Sequence, residues 1–361
     1  MDSRYSRLFK ILNGKVEAVV IANGHDNLID HNFRYFVGAH SGIFEGSAAL
    51  VSKRGVSVFT SPLEAPALAG LDVNTTVVSN SSDMQSKLAK ALSRFDTIGM
   101  NFPALTHTSF MTVKRAFRGR IYDCSTEIAK CRAVKDEREI ASISKSCRIA
   151  SRVVERIPEM LAEGVTEREL SALISKALYD EGSEAPSFPP IVSFGKTSAI
   201  PHYSPGDLRL RKGQFVLTDF GGTYRRYCSD ITRTFVYGRA DERQKRLYQT
   251  VLNAQKAGIS AIRSGARESA VDAEARKVID AGEFKGSFIH SLGHGLGLQV
   301  HDGLPTLSPS SSGTLDEGMV VTVEPGAYIS GYGGVRIEDD VVVRKSGARV
   351  LTDAPRELIE C

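Results

Sequence analysis

Apolar and polar positions along the 361-residue chain fall into two stretches of different rhythm. From Lys15 to about Asp123, short β-rich runs alternate with helical ones: VEAVVIA, then DHNFRYFV, then AALVSKRGVSVFT with a turn at Lys53-Arg54-Gly55. TTVVS, a helix around Asp83 to Arg94, TIGM and a helix around Thr106 to Phe117 continue the alternation. This rhythm predicts a small α/β layer domain. It holds no GxGxxG, so a nucleotide site has no support there, and Gly38 and Gly42 are expected in turns.

Further along the pattern changes. KCRAVKDERE (130–139) is a charge-rich junction leading into a long amphipathic helix, with Ile140, Ile143, Cys147, Ala150, Val154 and Ile157 on one stripe before Pro158. A boundary near residue 130 follows, with domains over 1–128 and 129–361. Thr166 to Glu169 reads as a capping box for a second helix carrying Leu170, Leu173, Ile174 and Leu178. Helices also fit Glu242 to Arg263 and Glu268 to Asp280, leaving the rest to strands and loops, with Ser308 to Ser312 expected as a surface loop.

Composition narrows the function classes. Hydrophobic residues make up 42% of the chain, ample for two cores. Net charge is +4, and no basic run exceeds short clusters such as Arg209-Leu210-Arg211-Lys212, so no nucleic-acid footprint is expected. Five scattered cysteines without a CxxC pair argue against a disulfide framework and against a cysteine zinc site. The start, MDSRYSRLFKIL, has no signal-peptide pattern, and no stretch reaches the roughly 18 apolar residues of a membrane span. A soluble cytoplasmic protein is the expectation.

An internal repeat carries the acidic chemistry. GQFVLTDFGGTY from Gly213 and GMVVTVEPGAY from Gly318 share a glycine, a mainly apolar run, an acid six positions after the glycine (Asp219, Glu324), then a glycine and a tyrosine. A second acid follows each first one, Asp230 eleven residues on and Glu338 fourteen. Two related β-hairpins are expected, whose returning strands bring the acids towards one spot. A single carboxylate in such a strand could be satisfied by backbone amides or one arginine. Four buried together are costly unless cations or protons neutralise them. Bound metal is the economical answer, and an oxygen-rich set with one imidazole suits Mn²⁺, Co²⁺ or Fe²⁺, with Zn²⁺ admissible by availability.

HSLGHGLGLQVHD (290–302) supplies His290, His294 and His301. Glycines at 293, 295 and 297 disfavour a regular helix, so the segment reads as strand and turn. One histidine added to two aspartates and two glutamates would give five ligands for two metals, and the others would orient substrate or stabilise developing charge. For His290 a plain hydrogen-bonded role stands equally open.

TDFGG (218–222), SDITRT (229–234), GHGLGLQVHD (293–302), TVEPGAY (322–328) and VRIEDD (335–340), in that order, resemble the pita-bread metallopeptidases, the family of aminopeptidase P, prolidase and methionine aminopeptidase. The resemblance covers roughly residues 125 to 361. Less specifically, the amino-terminal stretch with DHNFRYFVG looks like the partner domain of aminopeptidase P and prolidase, which methionine aminopeptidases generally lack. The implied fold is α+β: a small amino-terminal α/β domain, then a pseudo-symmetric pita-bread, creatinase/aminopeptidase-like catalytic domain.

Position by position, the resemblance makes Asp219, Asp230, His294, Glu324 and Glu338 the metal ligands. Asp230 and Glu338 would bridge two divalent ions per subunit, Mn or Co ahead of Zn or Fe. Asp219 would hold one ion and His294 with Glu324 the other. It implies peptide hydrolysis by a metal-bridging hydroxide, with Glu324 as the proton shuttle. His202 and His301 match histidines that act on substrate and on the tetrahedral intermediate, and His290 matches one forming the proline pocket. Arg336 would either steady the carboxylates or touch substrate, and Tyr224 and Thr232 are candidate hydroxyl partners of the ligand set. A homodimer is implied, its amino-terminal domains making contacts and restricting access.

An Xaa-Pro bond is a tertiary amide without N–H, so recognition needs a pocket shaped for the pyrrolidine ring. Prolidases commonly follow a histidine-glutamate pair with an arginine for the dipeptide's carboxylate. Here His301-Asp302-Gly303-Leu304-Pro305-Thr306 has none nearby. The expected function is therefore an Xaa-Pro aminopeptidase acting on peptides with proline in second position, with prolidase as the alternative. A non-catalytic pita-bread binding protein is disfavoured by the intact ligand positions.

Overall fold

Capped helices and apolar strands set the local structure before any long-range contact forms. The computed structural model describes residues 3–25 and 28–361, which divide into two compact units, Met1–Arg132 and Ala133–Cys361. In the first, β1 (Ala18–Ala22), β2 (Ala48–Ser52), β3 (Gly55–Thr60), β4 (Asn74–Val77), β5 (Thr97–Met100) and β6 (Arg120–Asp123) make one sheet in the order β4-β3-β2-β1-β5-β6. Neighbours among β1, β2 and β3 are antiparallel, and the other pairs are parallel. Every residue of β1 is buried, as its unbroken apolar run requires of a central strand covered on both faces. Helix α1 (Arg4–Leu12) has no counterpart in the sequence reading; Ser3 caps it, and Leu8, Phe9 and Leu12 form its buried side. Helices α2 (His31–Val37), α3 (Ser81–Leu92), α4 (His107–Ala116) and α5 (Ser125–Ala133) complete the unit. Gly38 ends α2 at φ 77°, the left-handed conformation glycine adopts without steric cost.

The second unit opens with α6 (Glu137–Met160), capped by an Asp136/Glu139 box, whose expected stripe from Ile140 to Ile157 is buried. Pro158 lies inside its last turn instead of ending it. In α7 (Glu167–Asp180) the Thr166 capping box forms, and Leu170, Ile174 and Leu178 are buried. Leu173 departs from the expected stripe: one position before Ile174, it is rotated about 100° towards solvent and is 41% exposed.

Strands β7 (Ile191–Phe194), β8 (Gln214–Phe220), β9 (Thr223–Tyr224), β10 (Tyr227–Cys228) and β11 (Ile231–Tyr237) follow. The second half repeats the plan with α8 (Glu242–Ala261), α9 (Glu268–Asp280), β12 (Gly293–His294), β13 (Thr306–Leu307), β14 (Val320–Val323), β15 (Gly326–Ile329), β16 (Gly333–Arg336), β17 (Asp339–Arg344) and β18 (Gly347–Val350). Hairpin β8/β11 encloses β9/β10, and hairpin β14/β17 encloses β15/β16. This is the pseudo-symmetric pita-bread arrangement. One apolar cluster packs α6 and α7 on the first sheet, and another packs α8 and α9 on the second. All five cysteines are free thiols. Among the described residues no helix is long and apolar enough to cross a membrane.

Candidate metal centre and substrate cavity

Both outer hairpins deliver acids at matching places in their ladders. Asp219 stands opposite Thr232 near the end of β8, and Asp230 immediately precedes β11. Glu324 immediately follows β14, whose last pair is Val323 with Asp339, and Glu338 immediately precedes β17. His294 comes from the short pairing of β12 with β13, its backbone N–H donating to Thr322 Oγ1 at 3.1 Å. The glycines around it are needed for close approach: a side chain at Gly293 would strike the Thr322 carbonyl, and one at Gly295 the Leu304 carbonyl.

These residues converge. His294 Nε2 lies 3.3 Å from Glu324 Oε1 and 3.7 Å from Asp230 Oδ2. Ligand atoms of Asp230, His294 and Glu338 all fall within 4.8 Å of one another. The nine residues nominated from sequence as metal ligands or substrate contacts, His202, Asp219, Asp230, His290, His294, His301, Glu324, Arg336 and Glu338, all line one cavity of 860 Å³. Phe188, Ile191, Ile200, Pro201, Ile289 and Val300 give it apolar walls. The His294 and His301 rings stack at 3.8 Å between centroids, and His301 is exposed.

Around the acids runs a polar network. Thr232 Oγ1 donates to Glu338 Oε2 at 2.6 Å and accepts from Arg336 Nε at 3.0 Å. Arg336 also pairs with Asp219 and donates to the Tyr328 hydroxyl at 2.7 Å. Thr322 Oγ1 donates to Glu324 Oε1 at 3.1 Å, and Asp340 accepts from the backbone N–H of Asp230 at 2.9 Å. His290 Nδ1 meets the Ser291 carbonyl at 2.8 Å, and its Nε2 meets the Tyr328 hydroxyl at 2.9 Å. A carbonyl only accepts, so Nδ1 carries the proton and the tyrosine donates to Nε2.

Tyr328, Thr322 and Asp340 escaped the sequence reading. Two of them stand inside TVEPGAY, and the repeat would equate Tyr328 with Tyr224. That equivalence fails in the structure: Tyr224, nominated as a ligand partner, packs instead against the α6 and α7 cluster, with the Arg225 guanidinium over its ring. Thr232, nominated with it, does reach the carboxylates.

The electrostatics fit a cationic centre. Asp219 Oδ1 and Asp230 Oδ1 are buried with no hydrogen-bond partner among the described residues. Burial first, then the neighbouring carboxylates, holds Asp230 and Glu338 well above the usual carboxylate range. Burial also pushes Glu324 up to about 8, against the pull of Arg336. His294 is pushed down to about 4 by burial and by His301, which keeps its ring neutral and able to donate a lone pair. Protons or metal must neutralise such a cluster, and its oxygen-rich donors with one imidazole suit a divalent ion.

Comparison with known proteins agrees. A model described as metallopeptidase family M24 matches residues 141–345, more than half of the chain, and one described as Creatinase/Prolidase N-terminal domain matches residues 4–134. An Xaa-Pro dipeptidase of Pyrococcus furiosus is 42% identical over 232 residues, which span 64% of this chain and 66% of that protein. The solved Xaa-Pro dipeptidase from Bacillus anthracis superposes with a TM-score of 0.90 at 31% identity, covering 99% of each chain. An X-Pro aminopeptidase from Thermotoga maritima gives 0.89 at 32% identity, covering 96% of this chain and 98% of that one. The chain therefore belongs to metallopeptidase family M24.

Proposed function

We propose that this chain is a two-metal Xaa-Pro dipeptidase, a prolidase, hydrolysing the bond before a proline in second position. The observation that carries the reading is the gathering of Asp219, Asp230, His294, Glu324 and Glu338 in one cavity with His202, His290 and His301 around them. From sequence alone the aminopeptidase stood first; the dipeptidase names of the Pyrococcus furiosus and Bacillus anthracis proteins favour its alternative. One observation keeps the aminopeptidase as a second reading. Among the described cavity residues Arg336 is the one arginine or lysine, and it is committed to Asp219, Thr232 and Tyr328, so a dipeptide's carboxylate meets no free cation there.

Asp219, Asp230, His294, Glu324 and Glu338 would hold the ions, Mn²⁺ or Co²⁺ suiting the donors best and Zn²⁺ or Fe²⁺ also within range. When bound, two divalent ions supply water acidified to near neutral pH and a polarised scissile carbonyl. Glu324, held by Thr322 at the cavity wall, is placed to take a proton and deliver it to the proline nitrogen. That delivery matters because the nitrogen leaves as a secondary amine. Partial desolvation at the cavity wall and the neighbouring His202 lower the His301 pKa, and its ring faces the cavity, where an N–H can donate a hydrogen bond to the carbonyl oxygen as charge develops. His202 lines the same wall and orients the peptide. His290 has both ring nitrogens engaged, which leaves its face to pack against the pyrrolidine ring. For the amino-terminal unit we propose a part in the pairing of two chains and in substrate access.

The test is hydrolysis of Ala-Pro and Ala-Pro-Ala by metal-stripped protein reconstituted separately with Mn²⁺, Co²⁺ and Zn²⁺. Cleavage of Ala-Pro alone is expected. Preference for the tripeptide moves the aminopeptidase to first place, and no cleavage of either peptide with any metal refutes the family of readings.

A further inference from the structure

A second, open groove of 460 Å³ adjoins the substrate cavity, sharing Ile289, His290 and Ser291 with it. Its far side is formed by Arg276, Phe288, Ser308 and Ser310. Arg276 lies over the Phe288 ring at 4.1 Å and forms a two-point ion pair with Asp272. The pair is asymmetric: the arginine side chain is 25% exposed and the aspartate only 1%. Positive charge therefore faces the groove while its counter-ion lies beneath.

Arg276 has one donor to spare. Its Nε and one Nη2 hydrogen go to Asp272, the second Nη2 hydrogen to the His290 carbonyl at 2.8 Å and one Nη1 hydrogen to the Phe288 carbonyl at 2.7 Å. A guanidinium carries five N–H groups, so one on Nη1 is left. In the same lining, the Ser308 and Ser310 hydroxyls stand 3.3 Å apart, able to donate as well as accept.

We infer that this groove is a binding subsite for the carboxylate end of peptides that continue past proline, with Arg276 as its anion anchor. A chain leaving the cavity across Ile289–Ser291 enters the groove directly, and the groove offers the cation that the cavity itself lacks. The inference rests on reading the cavity as an Xaa-Pro peptidase site, and it adds that peptides of three or four residues are bound whether or not they are the preferred substrate.

The experiment compares Ala-Pro-Ala-Ala with its carboxy-terminal amide. Binding is read twice: as competition against Ala-Pro hydrolysis by metal-loaded protein, and by calorimetric titration of the metal-free full chain, which does not depend on turnover. The free acid should bind roughly three- to fivefold more tightly than the amide, as one partly exposed ion pair allows. Raising the salt should shrink that ratio. Ser310→Glu should erase the ratio and Ser310→Lys should enlarge it, each normalised to Ala-Pro, which is too short to enter the groove. Equal binding of acid and amide, or a ratio indifferent to both substitutions, overturns the subsite. Retained Ala-Pro hydrolysis alongside equal binding sinks the groove alone. Loss of hydrolysis with a persisting acid preference in calorimetry sinks the catalytic reading and leaves the groove standing.

Discussion

Lys135 and Asp302 form an ion pair at 3.3 Å with side chains 1% and 2% exposed. Asp302 adjoins His301, and its other oxygen accepts from the backbone N–H of Gln299 at 3.2 Å, so the pair anchors the glycine-rich segment that carries His294 and His301. Lys135→Met keeps the volume and strips the charge, removing the ammonium that lies 3.3 Å from a buried carboxylate. Breaking a buried pair from one side costs about 3–5 kcal/mol. With a urea m-value of about 3 kcal/mol/M, the unfolding midpoint should fall by roughly 1–1.7 M. Far-UV circular dichroism is the suitable probe, because the chain contains no tryptophan. The transition of the catalytic unit should be fitted separately, since two compact units need not unfold together. Lys135→Met with Asp302→Asn should recover part of the loss, the mark of coupling between the two positions. A midpoint within about 0.3 M of the parent, or a double variant no better than the single, would refute the anchoring role.

Other outcomes follow from the cavity. His294→Ala or Asp230→Ala should abolish metal occupancy and turnover together, whereas His301→Ala should keep the metal and lose rate; metal analysis beside Ala-Pro assays separates the two. Thr232→Val removes the donor to Glu338 and the acceptor of Arg336, and should weaken metal binding by about 10- to 100-fold in a chelator competition. Metal-free protein should become less stable as pH rises from 6.5 to 8. In that window folded Glu324, pushed up to about 8, still holds a proton that the unfolded chain has released; His294, at about 4, opposes this only by the smaller gain from the unfolded histidine losing its last protons near pH 6.5. Saturating Mn²⁺ should flatten the thermal midpoint across the window, and a metal-free midpoint that rises there would contradict the sign.

Much of the centre was legible because its determinants are local and periodic. An apolar strand ending in an acid, written twice, fixes which side chains end up beside one another once each strand pairs with its return, and Asp219 opposite Thr232 and Val323 opposite Asp339 bear this out. The capping boxes at Asp136 and Thr166 are likewise three-residue signals that need no tertiary context. What stayed hidden depends on how elements are joined. Tyr224 and Tyr328 each stand two residues after a glycine of the repeat, but five and four residues after its acid; β9 and β10 are closed by the two-residue turn Arg225–Arg226 at positive φ, while β15 and β16 run twice as long and aim Tyr328 at His290. The Lys135–Asp302 pair spans 167 positions, a separation that no window on the sequence reaches. Leu173 shows the converse: the apolar side chain is there, but neighbouring Ile174 already fills the buried face.

The central claim is tested most directly by titrating Mn²⁺ into stripped protein and measuring bound metal and Ala-Pro turnover on the same samples. Turnover that is absent without metal and reaches its plateau at two ions per chain is the expected result. Turnover without metal, or full occupancy of two ions with no cleavage, would contradict it.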